Sequence, residues 1–224
     1  MVRIRPTIFS LIFRNSLVFS MVLAIIGFTL SLTTEASLSH QEGEDVPSSK
    51  LHNGIEIPLI GLGCASGVRK IHVKSALDTG YRFLDTAQSY SWGYHEDEVG
   101  DALVDYLASS SSSSSSSNDQ TIFVQTKIHP QDLGYQATTR AVEKSLERLH
   151  GHLDSVLIHK PRCWEGICKK KPEGTWQDSW RALEDLYDKG VIKAIGICDV
   201  DHQILDELLS QRIKPHIIQS KANL

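Results

Sequence analysis

A basic excess is missing from this sequence. Lysine and arginine number 23 against 27 aspartates and glutamates, a net charge of −4 over 224 residues. Nucleic-acid binding therefore has no electrostatic footing, and the one basic run, Lys169 to Lys171, reads as a solvated loop. Cysteines are few. Cys64, Cys163, Cys168 and Cys198 stand without zinc-ligand spacing or a repeating framework, so no metal site is expected. Cys163 and Cys168 are close enough for a small disulfide, but free thiols are the expectation. The fingerprint Gly-x-Gly-x-x-Gly is also absent after the first apolar strand: Gly61 and Gly63 are in place, but position 66 is serine. That counts against a doubly wound dinucleotide fold.

Carboxylates are lacking from the first 34 residues, which carry Arg3, Arg5 and Arg14 and an apolar run, LVFSMVLAIIGFTLSL, over 17–32. A basic flank before an apolar centre is the layout of a targeting segment, with small residues Thr34 and Ala36 at a cleavage point. The run is slightly short of the roughly 17 residues a membrane span needs. The expectation is a signal peptide or signal anchor over 1–36, with membrane-anchored or secretory localisation and membrane association through 17–32. An organellar transit peptide and a cytoplasmic placement are the alternatives. Residues 37–50, SLSHQEGEDVPSSK, read as a polar linker.

Beyond residue 50 the pattern is regular. Leu51-His52, Asn53-Gly54 and Ile55-Glu56 spell a short hairpin around a dipeptide suited to a primed turn. Apolar strands are then expected at IPLIGLG (57–63), RFLDTA (82–87), IFVQTK (122–127), SVLIHK (155–160), KAIGICD (193–199) and HIIQ (216–219). Helical spacing separates several of them: Val99, Ala102, Leu103 and Tyr106; Val142, Leu146 and Leu149; Trp176, Trp180, Leu183 and Tyr187, with Thr175 as N-cap and Gly190 as stop; and Ile204, Leu205, Leu208 and Leu209. Nine serines, 109–117, read as a loop insertion without chemistry. Apolar strands alternating with helices define an α/β chain with a parallel sheet, either doubly wound or a (β/α)₈ barrel.

The strand ends carry the chemistry. The second strand ends at Asp85 with Tyr90 just beyond, the third at Lys127, the fourth at His159 and the sixth at Gln219. Each alone is ordinary; an Asp at a strand end commonly caps a turn. Together they bring carboxylate, ammonium, imidazole and amide to one rim, where barrel active sites are built. A free phenol, with a pKa of about 10, is a weak acid at neutral pH. A nearby ammonium stabilises the phenolate, a carboxylate keeps that ammonium charged, and an imidazole orients a carbonyl oxygen. Such a set can protonate an alkoxide as it forms, provided a hydride comes from elsewhere.

These residues lie in blocks that resemble the aldo-keto reductase superfamily. The resemblance runs from about Leu51 to Leu224 and rests on IPLIGLG, GYRFLDTAQSYSWGYHEDEVGDAL, IFVQTK, LDSVLIHKP, TWQDSWRALEDLYDKGVIKAIGI and IKPHIIQ. It implies an incomplete (β/α)₈ TIM barrel with about six of eight strand-helix units, NADP as cofactor and a small-molecule aldehyde or ketone as substrate, in a monomer. It assigns Asp85, Tyr90, Lys127 and His159 to the catalytic tetrad, with Tyr90 as proton donor. Gly63, Cys64, Cys198, Asp199 and Gln219 fall on the cofactor side. Three departures stand out. Ser91-Trp92-Gly93 is inserted, which makes Tyr94 a second candidate donor; Tyr90 is preferred for its five-residue step from Asp85. Cys198-Asp199 replaces the family's Ser-Asn. The strands run out after the sixth, so the chain is expected to be a truncated reductase. The alternative is a catalytically inactive truncated or regulatory NADP-binding barrel fragment tethered to a membrane, since the superfamily includes cofactor-binding potassium-channel subunits.

Overall fold

The computed structural model describes residues 46–110, 121–163 and 166–221. The targeting segment, most of the linker and most of the serine tract lie outside the described residues. The hairpin is present but larger than expected. β1 (Ser48–Lys50) pairs antiparallel with β2 (Glu56–Pro58), Ser49 opposite Ile57. Its turn is closed by Gly54 N donating to Leu51 O and Leu51 N to Ile55 O, with Gly54 at φ 85°. The end of the polar linker is therefore a strand. Its three residues are all exposed and carry no apolar alternation that could announce it.

Six further strands build the main sheet: β3 (Leu62–Gly63), β4 (Phe83–Asp85), β5 (Phe123–Ile128), β6 (Ser155–Ile158), β7 (Ala194–Cys198) and β8 (Ile217–Gln219). They form one all-parallel sheet whose spatial order is the chain order. A doubly wound sheet reverses direction at a switch point; this one does not. Curvature is visible in a single bond: Gln219 Nε2 of β8 donates to Asp85 Oδ2 of β4 at 2.9 Å. In a flat sheet, strands four places apart stand about 19 Å from each other. The sheet is thus curled, and the fold is an incomplete (β/α)₈ barrel as expected. Within IPLIGLG only Leu62 and Gly63 join it, while Leu59 and Ile60 are largely exposed.

Five helices, α1 (Lys70–Asp78), α2 (Glu96–Ser110), α3 (Tyr135–Arg148), α4 (Trp176–Asp188) and α5 (His202–Leu209), pack on the outer face. Strand period sorts the residues. Leu84, Val124, Ile128, Val156, Ile158, Ile195 and Ile197 form the buried core with Val73, Leu77, Val99, Leu103, Val142, Trp180, Leu183 and Leu208 from the helices. Helix α1 is not among the expected elements, although Val73, Ala76 and Leu77 share its buried face at helical spacing. Helix α4 starts as expected, with Thr175 Oγ1 accepting from Asp178 N, and Gly190 at φ 67° follows its end. Among the described residues no helix is long and apolar enough to cross a membrane.

One carboxylate is buried on the helix side. Glu96, the first residue of α2, is 0% exposed. It accepts from Thr126 Oγ1 at 2.5 Å and Ser145 Oγ at 2.7 Å, and pairs with Arg148 at 3.0 Å. It therefore ties α2 to β5 and α3. Glu96→Ala strips three donors of their acceptor and should cost about 3 kcal/mol in urea unfolding. A loss below about 1 kcal/mol would show that these bonds are replaced by water.

Candidate active site

The inner face of the sheet differs from the outer one. On β5 it carries Phe123, Gln125 and Lys127, and on β4 Phe83 and Asp85, following the two-residue alternation of a strand. Phe83 and Phe123 meet edge to face at 5.5 Å and close one end. At the carboxyl-terminal end the side chains become polar. Lys127 is only 3% exposed, yet its Nζ donates to Asp85 Oδ1 at 2.5 Å and Thr86 O at 3.0 Å. Asp85 also accepts from Gln125 Nε2 at 2.7 Å and from Gln219 Nε2. Gln125 is held in turn by Ser155 Oγ, which donates to its Oε1 at 3.1 Å. One carboxylate thus gathers an ammonium and two amides from neighbouring and distant strands.

Other expected residues surround this pair. Gly63 lies opposite Asp85 in the register, with open space where a Cβ would be. Cys64 N donates to Asp85 O at 2.9 Å. Cys198 Sγ donates to Gln219 Oε1 at 3.4 Å. Burial pushes both thiols up to about 12, so neither is a nucleophile at neutral pH. Asp199 sits at φ 52°, a conformation Asp tolerates, and its carboxylate is paired with Lys160. Cys163 and Cys168 are joined by a disulfide, against the expectation of free thiols; their Cα atoms are 6.0 Å apart, within bridging reach.

The aromatic groups at the rim come from the insertion and its two flanks. Tyr90 and Trp92 bound a short 3₁₀ turn; the Tyr90 side chain lies outside the described residues. The Tyr94 ring centre is 5.5 Å from Lys127 Nζ and 5.8 Å from the His159 ring, to which it stands edge-on. Burial foremost, then the charge of Asp85, pushes the Tyr94 phenol up to about 12. This is opposite in sign to the expected effect of an ammonium, because burial and the neighbouring negative charge dominate. His159 is driven down to about 3, by burial first and then by Lys127 and Lys160. Its Nδ1 is buried and has no hydrogen-bond partner among the described residues. Trp92 stands edge-on to His159 at 4.9 Å and lies 5.3 Å from His129.

Gln125, Trp92 and His129 do not stand out as site residues in the sequence. Gln125 was readable, since it lies two residues before Lys127 on the same strand face. A concavity of about 540 Å³ lies at the opposite sheet end, among Arg82, Phe123, Asp154 and Lys193. Its charges are engaged: Lys193 pairs with Asp154 at 2.7 Å and Arg82 donates to Tyr106 at 3.0 Å.

Comparison with known proteins agrees with the fold. The model of the aldo/keto reductase family matches residues 67–224. This chain belongs to the aldo/keto reductase family. It is 39% identical over 180 residues to a glyoxal reductase of Bacillus subtilis, covering 76% of this chain and 56% of that protein. It is 34% identical over 189 residues to aldo-keto reductase family 1 member A1 of Gallus gallus, covering 75% and 54%. Among solved structures, an aldo/keto reductase from Brucella melitensis superposes with a TM-score of 0.62 at 30% identity, covering 79% of this chain and 63% of that one. An aldo-keto reductase complexed with NADPH gives a TM-score of 0.67 at 27% identity, covering 80% and 55%. The chain spans about half the length of the curated relatives it matches.

The membrane-anchored or secretory placement expected from residues 17–32 is corrected by these findings. The family match begins at residue 67, and two Bacillus subtilis relatives, named a glyoxal reductase and an uncharacterized oxidoreductase, lend that placement no support. Residues 17–32 themselves lie outside the described residues.

The His159 imidazole offers a direct check. Its folded pKa of about 3 lies below the ordinary 6.5, so the unfolded chain takes up a proton first as pH falls. Stability from this group is full above about 6.5 and is lost as pH drops toward about 3. Ring NMR shifts of His159 should therefore stay those of neutral imidazole from neutral pH to well below 6.5. Lys127→Met removes a repelling charge and should raise the midpoint. An imidazole titrating at its ordinary value would contradict the burial seen here.

Proposed function

We propose that this chain carries the reducing site of an NADP(H)-dependent reductase of aldehydes or ketones, with Asp85, Tyr94, Lys127 and His159 as its catalytic residues. The observation that carries the reading is the approach of the Tyr94 ring to both Lys127 and His159, beside the partly buried Asp85 carboxylate. Family membership and the relatives named glyoxal reductase and NADPH-complexed aldo-keto reductase support it. The hydride for the carbonyl carbon would come from a nicotinamide cofactor when one is bound. The residues present fit its carboxamide: Gln219, whose amide donates to Asp85 and accepts from Cys198, keeps a second N–H, Asp199 N donates to Gln219 O, and Gly63 leaves open space. Gly63, Cys64, Cys198, Asp199 and Gln219 would hold it.

The chain's own part is the proton. Tyr94 keeps its phenolic proton through neutral pH and releases it to the carbonyl oxygen as negative charge gathers there. Lys127 then stabilises the phenolate left behind, and Asp85 pairs with Lys127 and holds it in place at the rim. Neutral His159 aligns the oxygen through a ring N–H. The donor is assigned to Tyr94 in place of Tyr90 on these ring contacts; the five-residue step from Asp85 is the argument for Tyr90.

Tyr94→Phe should lower kcat for NADPH-driven reduction of a small aldehyde by about 10²- to 10⁴-fold while NADPH binding persists. Reduction needs the protonated phenol, which exists below about 12, so the wild-type rate should stay flat across neutral pH. An active Tyr94→Phe beside an inactive Tyr90→Phe would return the role to Tyr90. Full activity in both would remove the tyrosine from the chemistry.

A further inference from the structure

The insertion Ser91-Trp92-Gly93 has no counterpart in the family pattern, and its indole takes part in none of the steps assigned to Tyr94, Lys127 and His159. It is firmly built. Gly67 N donates to Gly93 O at 3.0 Å, Ser66 N to Trp92 O at 3.4 Å, and Trp92 N to Ser89 O at 2.9 Å. Gly93 has φ 79°, and a Cβ there would meet Gly67 N at 2.7 Å, so the two backbones approach where only glycine fits. These contacts fix the partly buried indole against two imidazoles. It stands at 86° to His159, and at 42° to His129. His129 is steadied by its own turn, its Nδ1 accepting from Gln131 N at 3.1 Å. His159 is thus flanked by Trp92 and by Tyr94, the second ring centre 5.8 Å away.

We propose that Trp92 determines substrate size. The indole occupies the volume beside His159 that the far end of a bulky carbonyl compound would need. The site therefore takes short aldehydes and turns away large aromatic ones. This rests on the chain being a carbonyl reductase. Filling or emptying an apolar subsite by one methylene shifts kcat/KM by about 10- to 200-fold, and an indole exceeds one methylene by far.

The test compares propanal with 2-naphthaldehyde, each with NADPH, in the wild-type full chain, Trp92→Phe and Trp92→Ala. The ratio of kcat/KM for naphthaldehyde over propanal should rise at least about tenfold in Trp92→Ala, with Trp92→Phe in between. The rise should appear in KM as well as kcat, since the change admits the ligand. An unchanged ratio overturns the proposal, including the case in which both substrates slow together because the indole merely holds the loop. Trp92→Phe separates that case from misfolding, because it keeps an aromatic ring against His159. A wild-type chain that reduces neither aldehyde overturns the reductase reading, and the role of Trp92 with it.

Discussion

A lysine ammonium with 3% of its side chain exposed needs a counter-charge, because taking a lone ion out of water is costly. Asp85 supplies it at 2.5 Å, and the carboxylate is satisfied in turn by Gln125 and Gln219. The pair therefore does two things at once. It lets a cation stand at the inner rim of the sheet, and it fixes the curl, since Asp85 of β4 and Gln219 of β8 must be in bonding range. The neighbouring groups answer to it. Lys127 helps keep His159 neutral, and Asp85 helps keep Tyr94 protonated. A site with one buried ion pair and two neutral donors suits a reaction in which negative charge develops only on an oxygen at its centre.

Two faces of one sheet explain why so much of the fold could be read from the sequence. Strands such as AIGIC are buried on both sides and show as unbroken apolar runs. The few polar residues that interrupt such runs, Asp85, Lys127 and Gln219, then stand out and share one end. Elements without that contrast were lost. Ser48–Lys50 is a strand only because Glu56–Pro58 pairs with it. Helix α1 opens without an acidic first turn, and His72 Nδ1 accepts the Arg69 N–H in place of an ordinary cap.

The site was legible where it lies on strands, and on the loop between β4 and α2 the sequence left Tyr90 and Tyr94 both open as donor. Sequence spacing favours Tyr90, but distance along a chain measures nothing across a turn. The 3₁₀ turn Tyr90–Trp92 and the Gly93 contact carry Trp92 and Tyr94 to the rim. The buried Glu96 then anchors the following helix two residues later. His129 gave no signal as a residue type, and only its packing against Trp92 brings it into the site. The disulfide between Cys163 and Cys168 was similarly open, since proximity in sequence permits a bridge without requiring one.

If Asp85 and Lys127 act as one unit, neither has value without the other. A double-mutant cycle on NADPH-dependent aldehyde reduction, with Asp85→Asn, Lys127→Met and the combined variant, tests this most directly. Each single variant is expected to lose nearly as much kcat as the double, so that the two effects are far from additive. Losses that multiply independently, or a Lys127→Met variant that keeps full turnover, would contradict the coupling of the pair.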